Sequence, residues 1–135
     1  VGTGGTISGV INAGLPQQRV IGFPALKNVA LWDDIRTFAT NNNWELAEDY
    51  HFGGYGKVTE ELITFINNFF DETAIPLDPI YTGKMVFGVI DLAQQGFFPE
   101  NARILLIHTG GLQGIQGMNQ LLTKKKLPTI KTQKT

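Results

Sequence analysis

The chain has 135 residues, 42% of them hydrophobic, and its 11 basic and 12 acidic side chains give a formal net charge of -1. This length supports one core, which indicates one domain or part of one. The near-neutral charge argues against nucleic acid or an anionic membrane as a partner, and the lack of cysteine excludes disulfides and thiolate metal sites. No apolar run reaches the roughly 18 residues of a membrane span. We therefore expect a soluble, cytoplasmic protein.

The first residues form a glycine-rich segment directly before a helical pattern. Ile7, Val10 and Ile11 recur at helical spacing after this segment. A helix that begins on such a segment offers backbone N–H groups, hydroxyls and its positive dipole end to one anion. The segment lacks the third glycine of dinucleotide-binding loops and the Gly-Lys-Ser/Thr ending of a P-loop. The pattern predicts a phosphate cradle, with a linker or tight turn as the alternative, formed by Gly2, Thr3, Gly4, Gly5 and Thr6.

Beyond the first helix, the chain alternates short apolar runs with helical stripes. The predicted strands are residues 19–23, 44–46 and 103–108, and the predicted helices carry the stripes 32–38, 62–70 and 85–93. This alternation predicts an α/β fold with three layers and a mostly parallel sheet. Residues 51–56 are too rich in glycine for a regular element and predict a shaped loop.

Two tyrosines stand out in irregular segments. Tyr81 follows two prolines and precedes a helix, and Tyr55 lies in the glycine-rich loop. A stiff segment can aim a side chain, but taken alone such a tyrosine is more often a rim or core aromatic than an acid–base group. For His51 and His108, too, a structural role is the more common alternative to a catalytic one.

Three segments taken together resemble a known family. They are the glycine loop, the Tyr-Thr-Gly-Lys stretch that begins at Tyr81, and the His-Thr-Gly-Gly stretch that begins at His108. In order and separation they resemble the C-terminal part of the 1-aminocyclopropane-1-carboxylate deaminase and D-cysteine desulfhydrase family. That family consists of enzymes that depend on pyridoxal 5'-phosphate (PLP) and have the tryptophan synthase β-like fold, fold type II. The resemblance implies that residues 1–123 are part of a PLP-binding large domain, and we expect residues 124–135 to be a disordered basic tail.

The resemblance also implies roles for single residues. The glycine loop would hold the phosphate of PLP, Tyr81 and Tyr55 would be catalytic, and Thr82 and Thr109 would lie near the pyridine nitrogen. Because desulfhydrases resemble this chain in having hydroxyl residues there, we expect β-elimination from D-cysteine to pyruvate, ammonia and sulfide. The alternatives are a 1-aminocyclopropane-1-carboxylate deaminase, which opens the ring to 2-oxobutanoate and ammonia, and a phosphate-binding α/β domain without catalysis.

The same resemblance places the Schiff-base lysine upstream of the glycine loop. We therefore assign that role to none of Lys27, Lys57 and Lys84. We expect Lys84 to lie at the start of a helix or to contact the site residues without touching the ligand. The chain is expected to be inactive alone and to need the N-terminal segment of the same enzyme. The expected partners are that segment, a small amino-acid substrate and a second copy in a homodimer.

Overall fold

The computed structural model describes residues 1–133, which fold into five α-helices, one short 3-10 helix and a small parallel sheet. The α-helices are α1 Gly5–Ala13, α2 Leu31–Phe38, α3 Glu60–Thr73, α4 Thr82–Gln94 and α5 Gly114–Lys124. The strands are β1 Val20–Gly22 and β2 Trp44–Leu46, and the 3-10 helix is Glu48–Tyr50.

The two strands are parallel, and the first residue of the chain continues their hydrogen bonding. Val20 pairs with Trp44 and Gly22 with Leu46. Directly after β1, the Val1 amino group donates to the Phe23 carbonyl at 2.7 Å, and the Ala25 N–H donates to the Val1 carbonyl at 2.8 Å. These two bonds follow the pattern of a parallel ladder. The predicted α/β class and parallel pairing are confirmed, and the glycine loop leaves directly from the sheet.

The helices form where the sequence supplies both a cap and an apolar face. In α3, for example, the Thr59 hydroxyl accepts from the Leu62 N–H at 3.2 Å, and Glu60 and Glu61 occupy the first turn. Acidic residues at that end interact favourably with the helix dipole. One face of α3 is buried through Leu62, Ile63, Ile66 and Phe70.

The apolar side chains form two clusters. The N-terminal cluster joins α1, α2 and β2 through Ile7, Ile11, Leu31, Ile35 and Leu46. The C-terminal cluster joins α3, α4 and α5 and contains Leu62, Ile63, Ile66, Leu77, Val86, Ile115, Met118, Leu122 and Ile130. Helix α4 also packs closely on the segment after β1 and on the 3-10 helix, because a Cβ atom at Gly88 would lie 2.5 Å from the Phe23 ring and 2.9 Å from the Tyr50 ring.

The strand predicted at residues 103–108 does not form. These residues have no regular secondary structure, and none of the described residues pairs with their backbone. Their side chains are exposed, Leu105 to 85%. A run of four apolar residues predicts burial on both faces, but a strand also needs a neighbour that accepts and donates its backbone hydrogen bonds.

The segment from residue 124, for which we predict a disordered tail, contacts the core of the structure at Ile130. Helix α5 extends to Lys124, and Ile130 is only 3% exposed within the C-terminal cluster. The Asn119 side chain accepts from the Ile130 N–H at 2.7 Å and donates to the Ile130 carbonyl at 2.9 Å. One buried isoleucine and a paired amide are enough to hold this segment against the core. Residues 134 and 135 of the predicted tail lie outside the described residues.

Within residues 1–133, none of the helices combines the length and the apolar character that crossing a membrane requires.

Candidate functional site

A cleft of about 1050 Å³ lies where the glycine loop, the start of α4 and the His-Thr-Gly-Gly turn meet. Tyr81 lines this cleft, and so does the extended segment from Ile104 to Ile107. The residues predicted to bind the cofactor all line it as well: Gly2, Thr3, Gly4, Gly5, Thr6, Thr82 and Thr109. Of the predicted site residues only Tyr55 lies outside the lining, and its ring packs against Tyr81 with centroids 6.2 Å apart.

The glycine loop presents unsatisfied backbone donors to this cleft. Gly4 caps α1 with a left-handed φ of 91°, and within residues 1–133 this helix start has no side-chain cap hydrogen bond. A Cβ atom at Gly4 would lie 2.9 Å from Ile35, so both conformation and space require glycine. The first N–H groups of a helix have no partner within it, and the positive dipole end adds to their attraction for an anion. With the exposed hydroxyls of Thr3 and Thr6 beside them, these donors fit a phosphate group.

Asp78 organises the start of α4. Its carboxylate accepts from the N–H groups of Ile80, Tyr81 and Thr82 at 2.7 to 2.8 Å, and from the Thr82 hydroxyl at 2.6 Å. Asp78 is buried, and a Cβ atom at Gly111 would lie 3.2 Å from its carboxylate. This one side chain therefore fixes both Tyr81 and Thr82, and it brings the His-Thr-Gly-Gly turn close to them.

Tyr81 points from the start of α4 onto the glycine loop. A Cβ atom at Gly2 would lie 3.4 Å from the Tyr81 hydroxyl. A hydrogen bond with Tyr55, followed by burial, raises the pKa of the Tyr81 phenol above its usual value. The phenol is therefore protonated at neutral pH and can donate a hydrogen bond or a proton.

The two threonines differ in how their hydroxyls are engaged. The buried Thr82 hydroxyl donates to the Asp78 carboxylate and accepts from the Asp78 N–H at 2.9 Å. Thr109 is exposed and lines the cleft, and within the described residues its hydroxyl makes no hydrogen bond. The neighbouring His108 holds the turn, since its Nδ1 accepts from the Gly110 N–H at 3.1 Å and its Nε2 lies 2.9 Å from the Pro76 carbonyl.

Sequence reasoning did not identify Asp78, His108 or the full role of Lys84. The Lys84 side chain is buried, and its Nζ donates to the carbonyls of His51 at 2.8 Å, Gly54 at 3.1 Å and Ala25 at 3.4 Å. Burial lowers the pKa of this ammonium to about 8. The signal for Asp78 was present, because an Asp in an irregular segment before a helix often accepts from backbone N–H groups two or three residues further on.

Comparisons with known proteins identify the relatives of this chain. No family model matches it. A protein of Pyrococcus horikoshii, whose name provisionally calls it a 1-aminocyclopropane-1-carboxylate deaminase, is 48% identical over 66 residues, which are 49% of this chain and 20% of that protein. The 1-aminocyclopropane-1-carboxylate deaminase of Mesorhizobium japonicum is 43% identical over 72 residues, 53% of this chain and 21% of that enzyme.

A solved structure extends the similarity to most of the chain. The crystal structure of an ACC deaminase homologue superposes with a TM-score of 0.79 at 32% identity, over 91% of this chain and 42% of that one. These matches confirm the predicted resemblance to the 1-aminocyclopropane-1-carboxylate deaminase family and the fold class. The matched segments span about a fifth of each curated relative.

Proposed function

We propose that this chain is the phosphate-binding C-terminal part of a PLP-dependent deaminase. The observation that carries the proposal is the uncapped start of α1, whose free N–H groups open into the same cleft as Tyr81. The names of the relatives support a deaminase, and the donor set supports a phosphate-bearing cofactor.

In the proposed reaction the residues of this chain bind the cofactor phosphate and hold a proton near the substrate. PLP, when bound, supplies a ring that withdraws electrons from the carbon beside the substrate's amino group. Residues 2–6 bind its phosphate through backbone N–H groups and the hydroxyls of Thr3 and Thr6. Tyr81, with its partner Tyr55, holds a proton at the phenol oxygen beside the glycine loop and exchanges it with the substrate.

Ring opening of 1-aminocyclopropane-1-carboxylate, giving 2-oxobutanoate and ammonia, is the activity that the comparisons favour. The D-cysteine reaction expected from Thr82 and Thr109 finds no specific support among the relatives, whose names refer to the deaminase. The structure also weakens half of that expectation, because the Thr82 proton is already donated to Asp78. D-cysteine desulfhydration stays as the second candidate because of Thr109, which lines the cleft.

The whole protein's assembly is part of the same proposal. The relatives are about five times longer than the segments they share with this chain. The resemblance to the deaminase family leads us to propose that the Schiff-base lysine lies in an upstream segment of the same enzyme, and that the enzyme is a homodimer that acts on a small amino acid.

Cofactor binding to this chain is tested with PLP and with pyridoxal, which lacks the phosphate. PLP should bind and shift its phosphorus NMR signal, whereas pyridoxal should bind far more weakly. Gly4→Ala should weaken PLP binding about tenfold or more, because it combines a strained φ with a clash at Ile35. Gly9→Ala is the matched control, since its Cβ atom meets nothing within 4 Å. Equal binding of both ligands, or binding of neither, contradicts the phosphate cradle.

The substrate is tested with the enzyme joined to its upstream segment. Release of 2-oxobutanoate from 1-aminocyclopropane-1-carboxylate supports the deaminase, while release of sulfide and pyruvate from D-cysteine supports the second candidate. Phosphate binding without either product would leave a non-catalytic phosphate-binding domain.

A further inference from the structure

We propose that Lys84 is a positioning residue, whose ammonium fixes the loop 51–56 and thereby holds Tyr55 against Tyr81. The proposal relies on the proposed function only in treating these tyrosines as an active-site pair. The anchoring contact itself is independent of any cofactor.

The surroundings of Lys84 are unusual for a lysine. The side chain is 1% exposed on the buried face of α4, and lysine is almost never buried to this extent without a partner. Among the described residues no carboxylate lies within ion-pair distance of its Nζ. Three carbonyl oxygens surround it instead, from His51, Gly54 and Ala25. An ammonium has three hydrogens to donate, and hydrogen bonds from a charged donor are about twice as strong as neutral ones.

Two of these carbonyls also shape the loop. The His51 carbonyl accepts from the Gly54 N–H at 3.2 Å, and the Gly54 carbonyl accepts from the Lys57 N–H at 3.1 Å. Lys84 therefore binds the acceptors of two successive turns. Within the first of these turns Phe52 has a positive φ of 55°, a conformation that costs free energy for a residue other than glycine and persists only when surrounding contacts offset that cost.

Packing holds the loop at one end, where the Phe52 ring lies 5.0 Å from the Phe87 ring, but not around Tyr55. Tyr55 is 57% exposed, and its ring touches the rest of the site through Tyr81. A Cβ atom at Gly54 or Gly56 would meet nothing within 4 Å, so the part of the loop that carries Tyr55 depends on other contacts. Because α4 carries Lys84 and begins directly after Tyr81, the ammonium links the two tyrosines through one helical turn.

The test replaces Lys84 with methionine, which keeps the length and removes the ammonium. In the Lys84→Met chain the Gly54 and Lys57 amides should lose hydrogen-exchange protection about tenfold or more, while α1 and α3 stay protected. The Tyr81 phenol, followed by NMR of ring-labelled tyrosine, should titrate at lower pH because Tyr55, the neighbour that raises its pKa, moves away from the ring contact. Lys57→Met is the matched control, since it removes the same charge from an exposed position in the same loop.

Unchanged protection of these amides, or an unchanged Tyr81 titration, overturns the proposal. If Lys84→Met does not fold, the proposal is tested in the unmodified chain, by measuring how fast the ammonium hydrogens of its lysines exchange with water. Those of Lys84 should exchange slowly with water while those of Lys57 exchange fast, and equal fast exchange overturns the proposal. Loop anchoring without PLP binding refutes the proposed function alone, whereas PLP binding with a free loop refutes only the positioning role.

Discussion

The position of Tyr81 makes its phenol the group to test first. Its hydroxyl lies against Gly2, and its hydrogen bond with Tyr55 together with burial raises its pKa, so the proton is present at neutral pH. If this proton takes part in the reaction, Tyr81→Phe should lower kcat of the full-length enzyme by about a hundredfold to ten-thousandfold with an intact fold.

Tyr50→Phe is the control for that measurement. Tyr50 also has a raised pKa, about 12, because of burial and its hydrogen bond with Asp91. Its hydroxyl is outside the cleft lining, so Tyr50→Phe can act on kcat only through the packing of α4, and its loss of kcat should be far smaller than that of Tyr81→Phe. Equal turnover of Tyr81→Phe and the unmodified enzyme would remove Tyr81 from the chemistry.

The buried Lys84 makes stability depend on pH in a predictable direction. Its folded-state pKa of about 8 lies below the ordinary 10.5, so between these values the unfolded chain binds the proton that the folded chain has lost. The free energy of unfolding attributable to Lys84 should therefore rise as pH increases from about 8 towards 10. Above pH 10 the raised pKa values of Tyr50 and Tyr81 act in the opposite sense.

Urea denaturation at several pH values checks this. The rise in the free energy of unfolding between about pH 8 and 10 should be present in the unmodified chain and in Lys57→Met, and absent from Lys84→Met. A slope that survives Lys84→Met would assign the proton to another group.

Several site residues could be predicted from the sequence because their function needs a local pattern. Glycines before a helix, as at Gly4, and a tyrosine after two prolines, as at Tyr81, are visible along the chain. Lys84 could not be predicted, since the carbonyls that surround it come from segments 30 to 59 residues away. Spacing carries no information about such contacts until the fold brings them together.

At the level of elements, the apolar pattern was reliable where a helix buries one face. It predicted α1 to α4 and both strands of the sheet. It failed at residues 103–108, because a strand depends on a partner that periodicity does not reveal. Helix α5 was not predicted although Ile115, Met118 and Leu122 follow helical spacing, because four glycines between residues 110 and 117 obscure its start.

The contrast between α5 and the extended segment gives a stability prediction. Leu122 is 1% exposed in the C-terminal cluster, so Leu122→Ala should lower the free energy of unfolding by about 2 to 5 kcal/mol. Leu105 is exposed, so Leu105→Ala should change it by less than about 0.5 kcal/mol. Urea denaturation of both variants tests this, and a large loss at Leu105 would show that residues 103–108 are packed in solution.

For the whole molecule, the central feature is that the site lies between two apolar clusters. The glycine loop is flanked by Val1 and Ile7 of the N-terminal cluster, while Tyr81 and Asp78 directly precede α4, which contributes Val86 to the C-terminal cluster. Helix α4 packs on Phe23 and Tyr50, and the Tyr50 hydroxyl donates to Asp91 of α4 at 2.7 Å. The geometry of the cleft therefore depends on how closely α4 approaches the sheet.

Gly88 sets that approach, because a Cβ atom there would lie 2.5 Å from the Phe23 ring. Gly88→Ala should push α4 away and lower the free energy of unfolding by about 1 to 3 kcal/mol, the usual effect of overpacking. It should also weaken PLP binding, although Gly88 does not line the cleft, since Tyr81 would move away from the glycine loop. Gly117→Ala in α5, where a Cβ atom meets nothing within 4 Å, should be neutral or stabilise by up to about 1 kcal/mol. Urea denaturation and phosphorus NMR of both variants separate the two effects. If Gly88→Ala loses stability but binds PLP normally, the phosphate cradle binds PLP independently of α4. In that case the contact of α4 with Phe23 does not position Tyr81 for cofactor binding.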